Sequence, residues 1–245
     1  MMADGKDMRL ADFTTLSFDC YGTLIDWEQG LTQALRPLAA RATPAPGEEG
    51  MLAAFAQVES EAQQRAPGKL YPDILRDALR MLASRWQLEL HAAELTRFAA
   101  SVGDWPAFGD SAPALAYLKA HYRLVVLSNV DRASFARSQA RLGVAFDDVF
   151  TAEEIGSYKP DLRNFRFMLD RLAGEGVTAA KVLHVAQSLY HDHVPAKQLG
   201  LATVWVNRRA GKPVGGATPP AQATPDLEVA SLAELAALHR RECRA

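Results

Sequence analysis

The sequence predicts an α/β protein: a doubly wound parallel sheet with a block of helices inserted after its first strand. Three observations predict it. Short apolar runs recur at TTLSFD (14–19), YRLVVLSN (122–129), DVF (148–150), KVLHVAQ (181–187), ATVWVN (202–207) and DLEVA (226–230). They are apolar on consecutive residues, as strands buried on both faces are. From about residue 110 to the end these runs alternate with helical patterns, and that alternation is most simply a parallel sheet. Between about 28 and 107, by contrast, no strand-like run occurs.

Taken in order, the first run ends at Asp19 and passes into a Tyr21-Gly22-Thr23 turn. The helical block then reads LTQALRPLAARA, EEGMLAAFAQVESEAQQ, DILRDALRMLASRW and HAAELTRFAASV. It predicts a cap domain over 28–107, lying on the sheet's carboxyl edge, with the core made of 1–27 and 108–245. Its crossings fall near Asp26 and Gly30 on one side and Asp104 and Asp110 on the other, where WPAFGD supplies Pro and Gly. Beyond it, Ser111 is expected to cap a helix with Pro113 in its first turn. DRASFARSQARLG ends at Gly143, and Pro160 leads into LRNFRFMLDRLAG, which ends at Gly174. The stretch 211–225, rich in Gly, Pro, Ala and Thr, reads as a surface loop.

Composition narrows the function. At 245 residues, 49% hydrophobic, 23% charged and formally −2, the chain is ordinary globular protein with a sizeable core. Basic and acidic residues nearly balance and form no stripe, so nucleic acid is not an expected partner. No apolar run approaches the roughly 20 residues of a membrane span. The N-terminus lacks a signal-peptide apolar segment. Two isolated cysteines, Cys20 and Cys243, make neither a metal site nor a disulfide framework. A reduced cytoplasmic enzyme is the expectation.

Ligands of open parallel sheets bind beyond the carboxyl ends of the strands. The first strand ends at Asp19, the second at Ser128 and Asn129, and the fourth runs to Gln187, Ser188 and then Asp192. Lys159 precedes a helix between them. Singly, each has an ordinary explanation: a turn Asp, a helix start, a solvated Lys. Together at one edge they make a crevice with a carboxylate, a hydroxyl–amide pair, an ammonium and a second carboxylate. Such a group can bind an anion and attack it.

DCYGTL (19–24), LSN (127–129), YKP (158–160) and HVAQSLYHD (184–192) resemble, in order, the four motifs of the haloacid dehalogenase-like hydrolases. The resemblance implies a Rossmann-like core with a helical cap, and Asp19 as a nucleophile that forms a covalent intermediate. Most of that superfamily are Mg²⁺-dependent phosphatases with a second Asp two residues after the nucleophile. Here Tyr21 stands there, and Gln187 replaces the first acid of the fourth motif, a donor set poor for Mg²⁺. Asp-x-Tyr-Gly-Thr is instead the pattern of the type II 2-haloacid dehalogenases, which work without metal. That branch implies attack by Asp19 on C2 of a small 2-substituted carboxylic acid, then hydrolysis of the aspartyl ester to a 2-hydroxy acid. Thr23 would hold the Asp19 carboxylate, Lys159 would keep it ionised, and Asp192 would activate or orient water. Tyr21, Ser128, Asn129 and Tyr71 would contact substrate, and no cofactor is implied.

Departures bear on substrate. The dehalogenases' cap Arg aligns with Ala56, leaving Arg65, Lys69 or Arg76 to compensate. Their Ser and Asn of the fourth motif are Gln187 and Leu189, and a Tyr after the motif Lys is Phe165. FDCYGTLIDWE, PGKLYPDIL, WPAF, SYKP and SLYHDH are similar to the (S)-azetidine-2-carboxylate hydrolases, which open a strained ring at C2. Such a substrate carries an amine that Glu59 or Glu61 would tolerate. Alternatives are a Mg²⁺-dependent phosphatase and a catalytically silent scaffold. Relatives are often dimers, so a homodimer is the family expectation. His184, His191 and His193 match no zinc spacing and read as structural. Tyr71, Trp27 and Trp105 read equally as pocket lining or core, and Cys20 as packing.

Overall fold

The computed structural model describes residues 8–211 and 216–244. Six strands, β1 (Thr15–Phe18), β2 (Arg123–Ser128), β3 (Asp148–Thr151), β4 (Val182–Ala186), β5 (Ala202–Val206) and β6 (Leu227–Val229), form one sheet. Their order is β3-β2-β1-β4-β5-β6, and every neighbouring pair is parallel. The chain winds one way from β1 through β2 to β3, then returns to the other side of β1 for β4. The core is therefore Rossmann-like, with its crevice at the carboxyl ends of β1 and β4.

The consecutive apolar pattern has a direct cause in the packing. Leu124 and Val126 of β2 join one apolar cluster with Leu16, Phe18, Leu183 and Val185. Val125 and Leu127, pointing the other way, join Phe165, Met168 and Leu172 of the helix Leu162–Gly174 in a second. Both faces of the strand are covered, so neither can be polar.

Four helices lie between β1 and β2 in the chain: α1 (Trp27–Ala39), α2 (Glu48–Arg65), α3 (Tyr71–Arg85) and α4 (Ala92–Ala100). Leu31, Leu35 and Leu38 of α1 and Leu75, Leu79 and Leu82 of α3 recur at helical spacing, all buried. They belong to the same apolar cluster as the first face of the sheet. Chain segments entering and leaving this block are bonded together: Asp26 N donates to Pro106 O at 2.7 Å, and Phe108 N to Leu24 O at 3.1 Å. Gly30 of α1 lies so close to Trp105 that a Cβ there would stand 2.3 Å from the indole.

Two local expectations are corrected. Asp110, not Ser111, is the residue before helix α5 (Ser111–Lys119), and Ser111 Oγ donates to Leu24 O at 2.8 Å. Its hydroxyl ties the helix to the crossing instead of capping it. Within 211–225, residues 212–215 lie outside the described residues, and the next part is not at the surface. Gly216 and Ala217 are buried, and Ala217 N donates to Glu28 Oε1 of α1 at 3.1 Å. The helix ends at Gly143 and Gly174 are where the sequence puts them. Gly143 takes a left-handed conformation, φ 66°.

Candidate active site

Phe18 is level with Val126 on one side and Val185 on the other, so Asp19 begins where β1 clears the sheet. Asp19 N still donates to Val185 O at 3.1 Å, which fixes the backbone of the acid. The chain then folds back, with Cys20 O accepting from Leu24 N and Ile25 N. Gly22 makes this possible: its φ is 93°, and a Cβ would meet Trp27 Nε1 at 2.9 Å. Thr23 is thereby returned to the acid. Its hydroxyl accepts from Gln187 N at 2.9 Å, which leaves its own proton to be donated to Asp19 Oδ2 at 2.7 Å.

Lys159 joins the two carboxylates. Its buried ammonium donates to Asp19 Oδ1 at 2.9 Å, Asp192 Oδ1 at 2.6 Å and Leu127 O at 2.8 Å. All three N–H bonds are used. Asn129 holds the Lys159 backbone from both sides, with Nδ2 donating to Lys159 O at 3.0 Å and Oδ1 accepting from Lys159 N at 2.7 Å. Asn129 thus positions the Lys159 backbone while also lining the cavity, and one of its two Nδ2–H bonds is not used by that pair. Ser128 ends β2 buried, its Oγ without a hydrogen-bond partner, and it is not among the residues lining the cavity.

A small cavity, of about 40 Å³, opens in front of Asp19. Asp19, Tyr21, Asn129, Lys159, Ser188, His191 and Asp192 form its core wall, and Trp27, Glu59, Gln63 and Tyr71 the wall from the inserted helices. Thr218, just past the buried turn at Ala217, completes it. Tyr21 presents its ring, because its hydroxyl bonds Ser138 Oγ at 2.9 Å and its edge packs on Trp105. Trp27 is lining; Trp105 is core. Tyr71 lines the cavity and donates to Glu59 Oε1 at 2.7 Å. Ala56 is one turn away, facing a different cleft. None of Arg65, Lys69 and Arg76 lines the cavity: they pair with Glu61, Asp77 and Asp73.

Burial and charge set the ionisation. Burial raises the Asp19 carboxyl above its ordinary value, against the opposing pull of Lys159 and the Thr23 hydrogen bond. Asp192 is equally buried, yet Lys159 and His184 hold it well below the carboxylate range. Burial also pushes Glu59 up to about 7, only partly offset by the Tyr71 hydrogen bond. His191, on the wall, is lowered to about 4 by burial, so its imidazole is neutral at physiological pH. His193 faces away, bonded to Ala186 O at 2.9 Å. His184, in sequence a structural strand residue, brings its Nε2 to 3.0 Å from Asp192 Oδ1. No local sequence signal marks that pairing, since it depends on β4 carrying the ring toward a residue eight positions on. Among the described residues, no group of three or more His, Cys, Asp and Glu is gathered to hold a metal ion.

Residues 13–200 match the haloacid dehalogenase-like hydrolase family. The chain belongs to this family. Among its relatives, the (S)-2-haloacid dehalogenase 4A of Burkholderia cepacia is 28% identical over 203 residues, covering 80% of this chain and 84% of that one. The glyceraldehyde 3-phosphate phosphatase of Methanocaldococcus jannaschii is 42% identical, but over 66 residues, 26% of this chain and 28% of that one. In structure the chain is similar to the L-2-haloacid dehalogenase PA0810, with TM-score 0.76, 25% identity and coverage of 95% and 100%. This haloacid dehalogenase-like chain is thus a hydrolase that matches 2-haloacid dehalogenases over most of its length, while the phosphatase named here matches over about a quarter of it.

Proposed function

We propose that the chain is a metal-independent hydrolase that displaces a substituent from C2 of a small 2-substituted carboxylic acid through an ester on Asp19. The observation that carries this is the ring of contacts on that carboxylate. Thr23 and Lys159 each hold one oxygen and aim the group at the cavity. Asp19 attacks C2, the C2–substituent bond breaks, and the substituent leaves with the bonding pair. Water then adds to the ester carbonyl, Asp19 is regenerated, and a 2-hydroxy acid departs. Neutral polar side chains, Gln63, Ser188 and Thr218, line the same cavity and would hydrogen-bond the substrate carboxylate.

The donor set stands against Mg²⁺. Asp19 and Asp192 are both bonded to the Lys159 ammonium, the Tyr21 oxygen is turned to Ser138, and Gln187 supplies no charge. Mg²⁺ favours octahedral oxygen ligation with carboxylates free to contribute. A phosphatase would also need an acid near Tyr21 for its leaving group.

One observation favours a nitrogen leaving group over halide. Glu59 faces the cavity with Tyr71 as its partner, and among the described residues Lys159 is the only Lys or Arg lining it. A wall with a titratable acid and no Arg suits a strained cyclic amine such as azetidine-2-carboxylate, whose nitrogen must end protonated. Turnover of (S)-2-chloropropionate and of azetidine-2-carboxylate in EDTA tests the reading. Product from either supports it; EDTA-sensitive phosphate release from phosphate esters, with neither acid consumed, overturns it. A single turnover in H₂¹⁸O should put label into the Asp19 carboxylate, and label going directly into product rejects the ester.

A further inference from the structure

Beyond the nucleophile, a second chain of contacts runs beneath the site. Asp192 Oδ1 receives two donors, Lys159 Nζ at 2.6 Å and His184 Nε2 at 3.0 Å, while its Oδ2 is buried without a hydrogen-bond partner. The far nitrogen of the ring, His184 Nδ1, lies 2.9 Å from Ser17 Oγ. Ser17 is two residues before Asp19 on β1 and so projects to the same side of the sheet. The Phe165 ring stands 5.0 Å from the imidazole at 77°, closing its other side. Every one of these groups is buried.

This arrangement fixes the proton on the ring. An ionised Asp192 can only accept, so Nε2 carries a hydrogen. The Ser17 hydroxyl can donate to Nδ1 or accept from it, so the ring keeps its orientation in either charge state. We infer that His184 is a positioning residue for hydrolysis of the ester: its Nε2–H bond ties down Oδ1 of Asp192 and leaves Oδ2 as the oxygen that takes a proton from water. This rests on the ester mechanism proposed above. In that step the water O–H bond breaks, its proton goes to Oδ2, and its oxygen bonds the Asp19 carbonyl carbon. The tetrahedral adduct then expels the product alkoxide, which recovers the proton from Asp192, and the second water proton leaves the Asp19 carboxyl for solvent to restore the carboxylate. His184 touches neither substrate nor Asp19, so it should not govern the first displacement.

The test separates the two steps. Wild type, His184→Leu, His184→Gln and Ser17→Ala are mixed with (S)-2-chloropropionate or azetidine-2-carboxylate, quenched rapidly, and read by intact mass for the ester and by product release. Expected for His184→Leu is ester hydrolysis slowed about 10²-fold, with ester formation changed less than about tenfold, so the ester accumulates. His184→Gln, which keeps an amide donor, should recover hydrolysis to within about tenfold of wild type. Both steps slowed equally in a folded His184→Leu, or neither slowed, would overturn the inference. If His184→Leu does not fold, Ser17→Ala decides: a higher steady-state ester fraction than wild type supports the positioning role, and an unchanged one overturns it. Wild type whose single turnover in H₂¹⁸O puts label directly into product rejects the mechanism itself, and this inference with it. An ester in wild type with no change in the variants rejects only the role of His184.

Discussion

The two walls of the cavity are built on different principles. On the sheet side, Thr23, Lys159 and His184 bond the two carboxylates, leaving Oδ2 of Asp192 without a partner, and Asn129 holds the Lys159 backbone; these groups sit on the strands or just beyond their ends. On the helical side one buried acid, Glu59, is held by one phenol, Tyr71, on neighbouring helices. The first wall has almost no freedom, because moving any member strands a buried charge. The second can exchange residues at the cost of one hydrogen bond. On the proposed function, the chemical step would rest on the sheet and substrate selection on the inserted helices.

Substitutions on the two walls should differ accordingly. The largest effect is expected for Asp19→Asn, which should lower turnover of any accepted 2-substituted acid by about 10⁴-fold or more without unfolding the chain. Retained turnover would mean that the sheet wall does not supply the nucleophile. Next is Lys159→Met. It leaves two buried carboxylates facing each other without their cation, and chemical denaturation should report a loss of about 3–5 kcal/mol. Its activity should fall by about 10²- to 10³-fold even at temperatures where it is folded.

On the helical wall, Glu59→Gln should do the opposite to stability. The folded chain holds the Glu59 proton to about 7 instead of the ordinary 4.5, so the folded state binds more protons than the unfolded one between those values. Stability from this group is present below the lower value and is lost as pH rises through the upper. Above that window the variant should be more stable than wild type by at most about 3 kcal/mol, and the two should converge near pH 4. Thermal melts across that range read this out. The same variant should lose azetidine-2-carboxylate turnover by about 10²-fold relative to (S)-2-chloropropionate. The smallest effect is expected for Tyr71→Phe. Losing its hydrogen bond costs about 1 kcal/mol and lifts the Glu59 carboxyl further, so the pH limb of the melts should move upward.

Much of this division could be read from sequence, for a physical reason. Strands covered on both faces write their burial into consecutive residues, as Leu124 to Leu127 do, and the four strand-end motifs carry their own order. Helix stops at Gly143 and Gly174 are local events. What could not be read was contact made by distant residues with ordinary local roles. Ser111 looks like a cap until Leu24 O is found above it. Asn129 reads as a polar strand-end residue until its amide is seen to hold the Lys159 backbone at both N and O. Ala217 sits in a stretch whose composition says loop, yet it joins the apolar core and its N–H is bonded to the Glu28 carboxylate of α1. Glu59 and Glu61 are two residues apart on one helix, and helical phase alone sends the first to the cavity and the second to a salt bridge with Arg65.

The buried thiol of Cys20 has a practical corollary. Iodoacetate is both a thiol alkylator and a 2-haloacid. Burial, with Asp19 alongside, holds the Cys20 thiol well above its ordinary value, so it offers no thiolate to react. Cys243 is exposed on the last turn of the chain and free to be carboxymethylated. Loss of activity in iodoacetate would therefore not mark a cysteine enzyme, and a label on Cys243 would carry no news of the mechanism. Label recovered on the peptide around residue 19 would be decisive only once tested with hydroxylamine, which strips an aspartyl ester and leaves a thioether intact.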